Sequence, residues 1–429
     1  MKIPASYHQE RLWYTDKFES LLHGSSPTYH NVPVILEISG DIDAGLLEMS
    51  IHEVIRRHEA LRTRVYSAED ELFQKVGKDV DFPLTVIDLR KDRQIKTYEQ
   101  AVNLVVKEAD LPFTLDKDLL IKGKLFHIEK EKFILVIILH HIIADRYSIK
   151  ILVEEMLFCY EKYSQKQNAG LQDLQLHYID FSNWQKQLPQ KYYEYLSAYW
   201  KMKLEGKLHA FKLPADKPDA SIHPYQSSRE SFTLSKDLYE KIVLYSKQKN
   251  IKIFTTLLGV FKVLLLKYSG HEEILIGTSA ANRLQQETAG VIGPIANLLL
   301  LRSFLPVNYS FDRFVCDLKE TLDEAFQYQG MPFDKLVSVL EPAIDRSRPV
   351  LFNVVFQYEE APIRISPTAG LEISTIETNL GWGKYDINIL IQKQEDSFTG
   401  VIVYNSSNYN NSTITRFIGR YKRLLASII

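Results

Sequence analysis

Seven apolar residues in an unbroken run, Phe133-Ile-Leu-Val-Ile-Ile-Leu139, lead directly into His140-His141-Ile142-Ile143-Ala144-Asp145-Arg146. A run of that length without alternation marks a strand buried on both faces, so other layers must cover it. The chain can supply them: of 429 residues, 45% are hydrophobic and 25% charged, an ordinary globular composition. At roughly 150 residues per domain, the length points to two or three packing units. A helix is expected after the turn, from about Ser148 as N-cap to Gln165. Strand, polar turn and helix is a common way to display chemistry.

The rest of the chain alternates in the same manner. Ile35–Ser39 and Leu72–Val76 read as strands flanking a helix over 44–57, followed by a helix over 98–109 and a hairpin from Lys124 through Lys130-Glu131-Lys132 into the apolar run. A polar connector at 166–175 precedes a helix over 178–200 and a Pro-punctuated loop over 213–228. Helices over 235–248, 255–268 and 311–328, strands over 274–278, 350–358, 371–377, 385–392 and 400–404, and a closing helix over 412–425 complete the pattern. The expectation is two α/β subdomains, 1–165 and 176–429, with no short-period repeat.

Charge excludes several functions. The 52 Lys+Arg and 54 Asp+Glu leave a formal charge of −2, which gives no field for nucleic acid or an anionic membrane. The 24 Tyr and 21 Phe do not interleave with a basic run. Cys159 and Cys316 match no metal or redox spacing and fit a reducing cytosol. Met1-Lys2-Ile3-Pro4 has no apolar signal core, and no greasy run approaches a spanning helix, so a cytoplasmic location is expected. The sequons at Asn308, Asn405 and Asn411 read as chance matches. Phosphate-loop, nucleophile-elbow, zinc-helix and dinucleotide fingerprints are absent; Gly381-Trp382-Gly383 is the nearest miss.

The histidine turn is what remains. An imidazole moves protons near neutral pH, and a strand end is a rigid mount for it, which makes His141 the candidate. A paired histidine alone is weak evidence, and on composition a satisfied structural pair is the commoner reading. Joint metal ligation is disfavoured, because neighbours at a strand end point to opposite faces, and no metal is expected. Asp145 either orients the imidazole or pairs with an arginine to hold the turn; its place beside a helix start favours the second.

At this turn the sequence resembles the condensation domains of nonribosomal peptide synthetases, whose signature is H-H-x-x-x-D-G. Six further stretches resemble the family's motifs in order: Pro4 to Trp13, Arg57 to Thr63, Tyr178 to Trp184, Ile292 to Arg302, Met331 to Val337 and Arg346 to Phe356. The resemblance implies an α/β fold of two chloramphenicol acetyltransferase-like subdomains in a V-shaped pseudo-dimer with a central tunnel. A floor loop over about 280–302 and a latch over about 378–390 are implied with it.

The same resemblance implies the reaction. A donor acyl or peptidyl thioester on one carrier protein's 4'-phosphopantetheine arm is attacked by the amine of an aminoacyl thioester on a second carrier, and an amide forms. No intrinsic cofactor is implied, and the partners are donor and acceptor peptidyl carrier proteins and adjoining synthetase or polyketide synthase modules. His141, with His140 and Asp145, would be catalytic; Arg283, or else Arg62, would pair with Asp145; and Tyr7, Asn297 and Trp184 would line the tunnel. Three departures stand out: Arg146 where the family usually has Gly, His8 in the first motif, and Gly330-Met331 in the sixth. Arg146 either points to solvent or a carboxylate, or selects or blocks a donor. Two alternatives stay open: an inactive condensation-like domain that recruits carriers, and a freestanding acyltransferase acting on a soluble amine.

Overall fold

The apolar run fixes the centre of the first of two units. The computed structural model describes all residues except 1, 25, 27, 79–81, 93, 94, 96, 207, 209, 210, 212, 218–224, 341–350, 361–364, 366, 367 and 377–381. In chain order the elements are β1 (Ile3–Pro4), α1 (Tyr7–His23), β2 (Asn31–Ser39), α2 (Ala44–Arg57), β3 (Thr63–Ala68), β4 (Glu71–Val76), β5 (Thr85–Asp88), α3 (Tyr98–Glu108), β6 (Ile121–Glu129), β7 (Lys132–His140), α4 (Arg146–Ser164) and α5 (Tyr178–Gln187). They continue as α6 (Gln190–Lys203), β8 (Tyr225–Leu234), α7 (Lys236–Gln248), α8 (Ile253–Ser269), β9 (Glu273–Ala280), β10 (Asn297–Phe304), α9 (Phe311–Gln327), α10 (Phe333–Leu340), β11 (Val354–Glu359), β12 (Glu372–Thr375), β13 (Trp382–Gly383), β14 (Ile387–Lys393), β15 (Phe398–Asn405) and α11 (Asn411–Ile428).

The first unit comprises Met1–Leu188, Arg283–Ala296 and Ile363–Leu380. Its main sheet has the order β12-β2-β7-β6-β5, with β7 in the middle and antiparallel to both neighbours. Every residue of β7 from Phe133 to His140 is buried, as an unalternating apolar strand requires. Helix α2 packs on α4 and buries Leu47, Ile51, Val54 and Ile55 at helical spacing. A small sheet, β1-β4-β3, carries the chain's start.

The second unit comprises Pro189–Asn282, Asn297–Pro362 and Gly381–Ile429. Its seven-stranded sheet runs β10-β9-β11-β14-β15-β8-β13. Helix α8 is apolar nearly all round and buries eleven residues, among them Lys262. Burial pushes the Lys262 ammonium down to about 7, and its Nζ donates to the carbonyls of Ile274 (3.2 Å) and Leu301 (2.7 Å).

Local expectations change in four places. The helix expected over 178–200 is two helices, because Pro189 cannot continue the ladder. Strands β8 and β10 replace what reads as loop and motif. The N-cap of α4 is Asp145, with Ser148 as the third helical residue. The carboxylate, which accepts the Ser148 N–H at 2.7 Å, outcompetes the hydroxyl for that position. Within the expected latch, 378–381 lie outside the described residues; β13 pairs with β8, and 387–390 belong to β14. The seventh motif's 346–350 lie outside as well.

Candidate active site around the histidine turn

The turn is fixed from both ends. The His141 N–H donates to the His30 carbonyl at 2.8 Å, which extends the β2–β7 ladder by one bond past the strand end. The Ile143 N–H closes back on the His140 carbonyl at 3.0 Å, and the Ile142 N–H donates to His140 Nδ1 at 3.1 Å. His140 is thereby buried, with its ring 5.6 Å from that of His30 and edge-on to Phe113 at 6.0 Å. His141 is half-buried: Nδ1 is turned away from solvent, and the ring centroid lies 5.2 Å from that of His8. The two histidines are therefore placed differently, His140 packed inside and His141 half-buried.

Asp145 anchors the other end. Its Oδ1 accepts the Ser148 N–H at 2.7 Å, lies 2.7 Å from Ser148 Oγ and takes Arg283 Nη2 at 3.3 Å. Oδ2 accepts the N–H groups of Ile295 (3.1 Å) and Ala296 (2.9 Å) and lies 3.4 Å from the same Nη2. A carboxylate has about four lone-pair sites, and these contacts occupy them. Side chains of Asp145 and Arg283 are only 1% and 5% exposed, so this ion pair is screened little by water. Through these contacts Asp145 ties the 283–296 loop to the start of α4.

Arg283 spends its other Nη on the carbonyls of Thr288 (2.7 Å) and Val291 (2.9 Å), and its guanidinium lies 4.4 Å over the Tyr147 ring. Arg62 is engaged elsewhere, on the Gly77 carbonyl (2.5 Å) and Glu59 (3.4 Å). Arg146, the first residue of α4, is exposed, and its φ is negative, so the backbone itself does not call for glycine there.

A further ring of polar contacts comes from stretches whose individual roles the sequence does not disclose. Ser6 Oγ and Tyr178 Oη lie 2.6 Å apart, and the Gln9 amide donates to Gln74 Oε1 (3.0 Å) and to the Ile142 carbonyl (3.3 Å). Gln74 in turn donates to the Pro4 carbonyl (2.9 Å) and Ser182 Oγ (2.7 Å). Tyr178 is fully buried, which pushes its phenol up. A Cβ on Gly293 would sit 2.1 Å from the Tyr178 ring, so only glycine lets the loop lie there.

His58 holds the same loop from below. Its Nδ1 accepts the Ile292 N–H at 3.4 Å, which puts the ring proton on Nε2, 2.8 Å from Glu155. Burial holds His58 below the ordinary imidazole range against the pull of Glu155, and Glu155 also pairs with Arg57. Four other motif stretches thus gather, directly or through one another, around the histidine turn. The signal in the sequence is their order along the chain, which carries no information about who touches whom.

The remaining candidates are dispersed. Tyr7 opens α1, donates its N–H to Gln185 Oε1 at 3.2 Å and carries Lys186 Nζ 3.8 Å over its ring. Trp184 is 38% exposed beside Phe181. Asn297 belongs to the second unit, where its amide donates to the carbonyls of Gln329 (2.9 Å) and Met331 (2.6 Å) and accepts the Phe333 N–H (3.1 Å). Among the described residues no group of three or more His, Cys, Asp or Glu is arranged to hold a metal, and no helix is long and apolar enough to cross a membrane.

A family model described as Condensation domain matches residues 1–429. One of the linear gramicidin synthase subunits of Brevibacillus parabrevis is 32% identical over 430 residues, covering 100% of this chain and 8% of that protein. Surfactin synthase subunit 1 of Bacillus subtilis (strain 168) is 28% identical over 422 residues, covering 98% and 11%. The chain therefore spans about a tenth of the length of the curated relatives it matches. The first condensation domain of the calcium-dependent antibiotic synthetase, in complex with substrate analogue 2a, shares the fold at a TM-score of 0.82 and 17% identity, covering 100% of this chain and 97% of that one.

Proposed function

The chain belongs to the condensation-domain family of nonribosomal peptide synthetases, and from that premise we propose that it joins a carrier-bound acyl or peptidyl thioester to the amine of a second, aminoacyl-loaded carrier. The amine nitrogen attacks the thioester carbonyl carbon, a C–N bond forms and the C–S bond breaks. The proton lost by the nitrogen ends on the departing thiol. Both substrates arrive on phosphopantetheine arms of carrier proteins, so the domain needs no resident cofactor for this chemistry.

One observation carries the reading: the turn displays His141 while the polar groups beside it are committed to holding it. With Nδ1 inward, the Nε2 edge is the one proposed to meet the amine, as proton acceptor or as the hydrogen-bond partner that orients it. Asp145 does not relay charge; with Arg283 it fixes the turn. Tyr7 and Trp184 are proposed to border the substrates' approach, and Asn297 to act indirectly through the loop it ties. Positioning two arms for attack is worth on the order of 7–11 kcal/mol in favourable cases, so a rigid mount is the larger part of the task.

The test supplies both loaded carriers and follows amide product by mass spectrometry. Wild type should form it, and His141→Ala should lose about 10²–10⁴-fold in rate. Full rate in His141→Ala would remove the imidazole from the chemistry. Carrier binding without turnover across many donors would favour the recruiting alternative, and amide formation on a soluble amine would favour the freestanding acyltransferase.

A further inference from the structure

His8 is one of the positions at which the first motif departs from the family's common pattern, and the structure brings it to the functional turn. Its ring centroid is 5.2 Å from that of His141, with the planes tilted by 42°. That approach is built into the backbone. His8 is the second residue of α1, whose start is locked by a capping box between Ser6 and Gln9. The Gln9 amide, one residue on, donates to the carbonyl of Ile142, the residue after His141. The helix turn that carries one imidazole is therefore hydrogen-bonded to the turn that carries the other.

Arg11, one helical turn further on, fixes the chemistry of the His8 ring. Its Nη2 lies 3.4 Å from His8 Nδ1. A guanidinium only donates, so the contact is a hydrogen bond only in the tautomer whose Nδ1 accepts and whose proton sits on Nε2. On its own helix the ring contacts Arg11, whose chain neighbour Glu10 is paired with Lys186 of α5 at 2.6 Å; from the turn it meets His141. The Arg11 contact favours a neutral ring over a second cation beside His141.

We propose that His8 is a positioning residue for His141: ring against ring, it fixes the orientation of the displayed imidazole, and Arg11 keeps it from adding a charge where a proton must be accepted. This rests on the reading of His141 as the amine-facing group and deepens it. His8 acts through His141 and not on the substrate, so its loss falls on the rate of the chemical step and on the state of the His141 ring.

The experiment labels histidine ring nitrogens with ¹⁵N and follows His141 by NMR across pH in wild type, His8→Ala and His8→Phe. Amide formation is measured in parallel with loaded carriers. In His8→Ala the His141 ring signals move and its titration midpoint shifts by about half a pH unit. In the same variant kcat falls about tenfold at unchanged KM. His8→Phe restores the packed ring and returns kcat to within about threefold of wild type. Unchanged signals of buried His58 and His140 report that the fold is intact.

Identical His141 signals and midpoint in wild type and His8→Ala would overturn the proposal. So would a raised KM with kcat intact, which would place His8 on the substrate. If wild type forms no amide, the reaction assigned above fails, while the NMR arm still decides whether His8 governs the His141 ring.

Discussion

Each unit sends the second strand of a hairpin through a turn into a long helix, β6–β7 into α4 in the first and β14–β15 into α11 in the second. The turns are anchored differently. In the first, the cap is the turn's own Asp145, satisfied by Ser148, by Arg283 and by two backbone N–H groups. In the second, the cap residue Asn410 makes no side-chain cap bond, and Asp216 from a separate loop accepts its N–H at 2.8 Å. The turn also ends its strand with Asn405, whose amide donates to Asp386 at 3.3 Å, where the first unit has His140-His141. The lesson is that a turn anchored by a residue other than the one it displays can leave an imidazole for chemistry. A turn whose asparagine is spent on the fold has no such group at that place.

Breaking the first turn at its anchor should have the largest effect. Asp145→Ala removes the cap and leaves Arg283 buried opposite no carboxylate, which costs about 3–5 kcal/mol. Chemical denaturation should show the loss, and Arg283→Ala combined with it should cost less than the two single changes added together, because the pair is coupled. Additive losses would mean that Asp145 stabilises chiefly through its cap.

That anchor also marks how far the sequence can be read. Strand β7, the turn and α4 are legible locally, since the apolar run and the helical spacing need no knowledge of neighbours. The Asp145–Arg283 pair spans 138 residues and is foreshadowed only through the family resemblance. Gly293 against Tyr178, and Ile292 against His58, are invisible for the same physical reason: complementarity between distant surfaces leaves no periodicity in either. Strand β8 escapes because its start falls in the stretch read as loop over 213–228 and Arg229, Glu230 and Ser231 continue it without apolar alternation, although Ser227 to Leu234 are paired with β15. Tertiary pairing overrides propensity there.

The buried charges sharpen the contrast between units. Asp145 has a counter-ion, whereas Lys262 in the second unit has two backbone carbonyls as hydrogen-bond partners. Burial lowers Lys262 to about 7 in the folded protein, against an ordinary value of about 10.4 when unfolded. Between those values the unfolded chain binds more protons, so the contribution of Lys262 to stability rises with pH, by roughly 1 kcal/mol per unit across pH 8–10. Unfolding free energies measured over that range should lose this rise in Lys262→Met. An identical slope in both proteins would place Lys262 in the charged state throughout.

The smallest effect separates the two helix caps. Asp216→Ala removes the acceptor for the Asn410 N–H and the partner of Thr413 Oγ1 at 2.9 Å, and should cost about 1 kcal/mol. Asn410→Ala, whose side chain caps nothing, should stay within about 0.5 kcal/mol. The Asn410 N–H, first among its partners, holds the Asp216 carboxyl below the usual carboxylate range. Its contribution is therefore complete above the unfolded value of about 3.9 and is lost as pH falls through the lower folded value. Thermal melts of wild type and Asp216→Ala should converge at low pH and stay apart at neutral pH. A pH-independent gap would mean that Asp216 acts on the turn by shape alone, which would make the second unit's external cap a packing device and remove the electrostatic half of its contrast with Asp145.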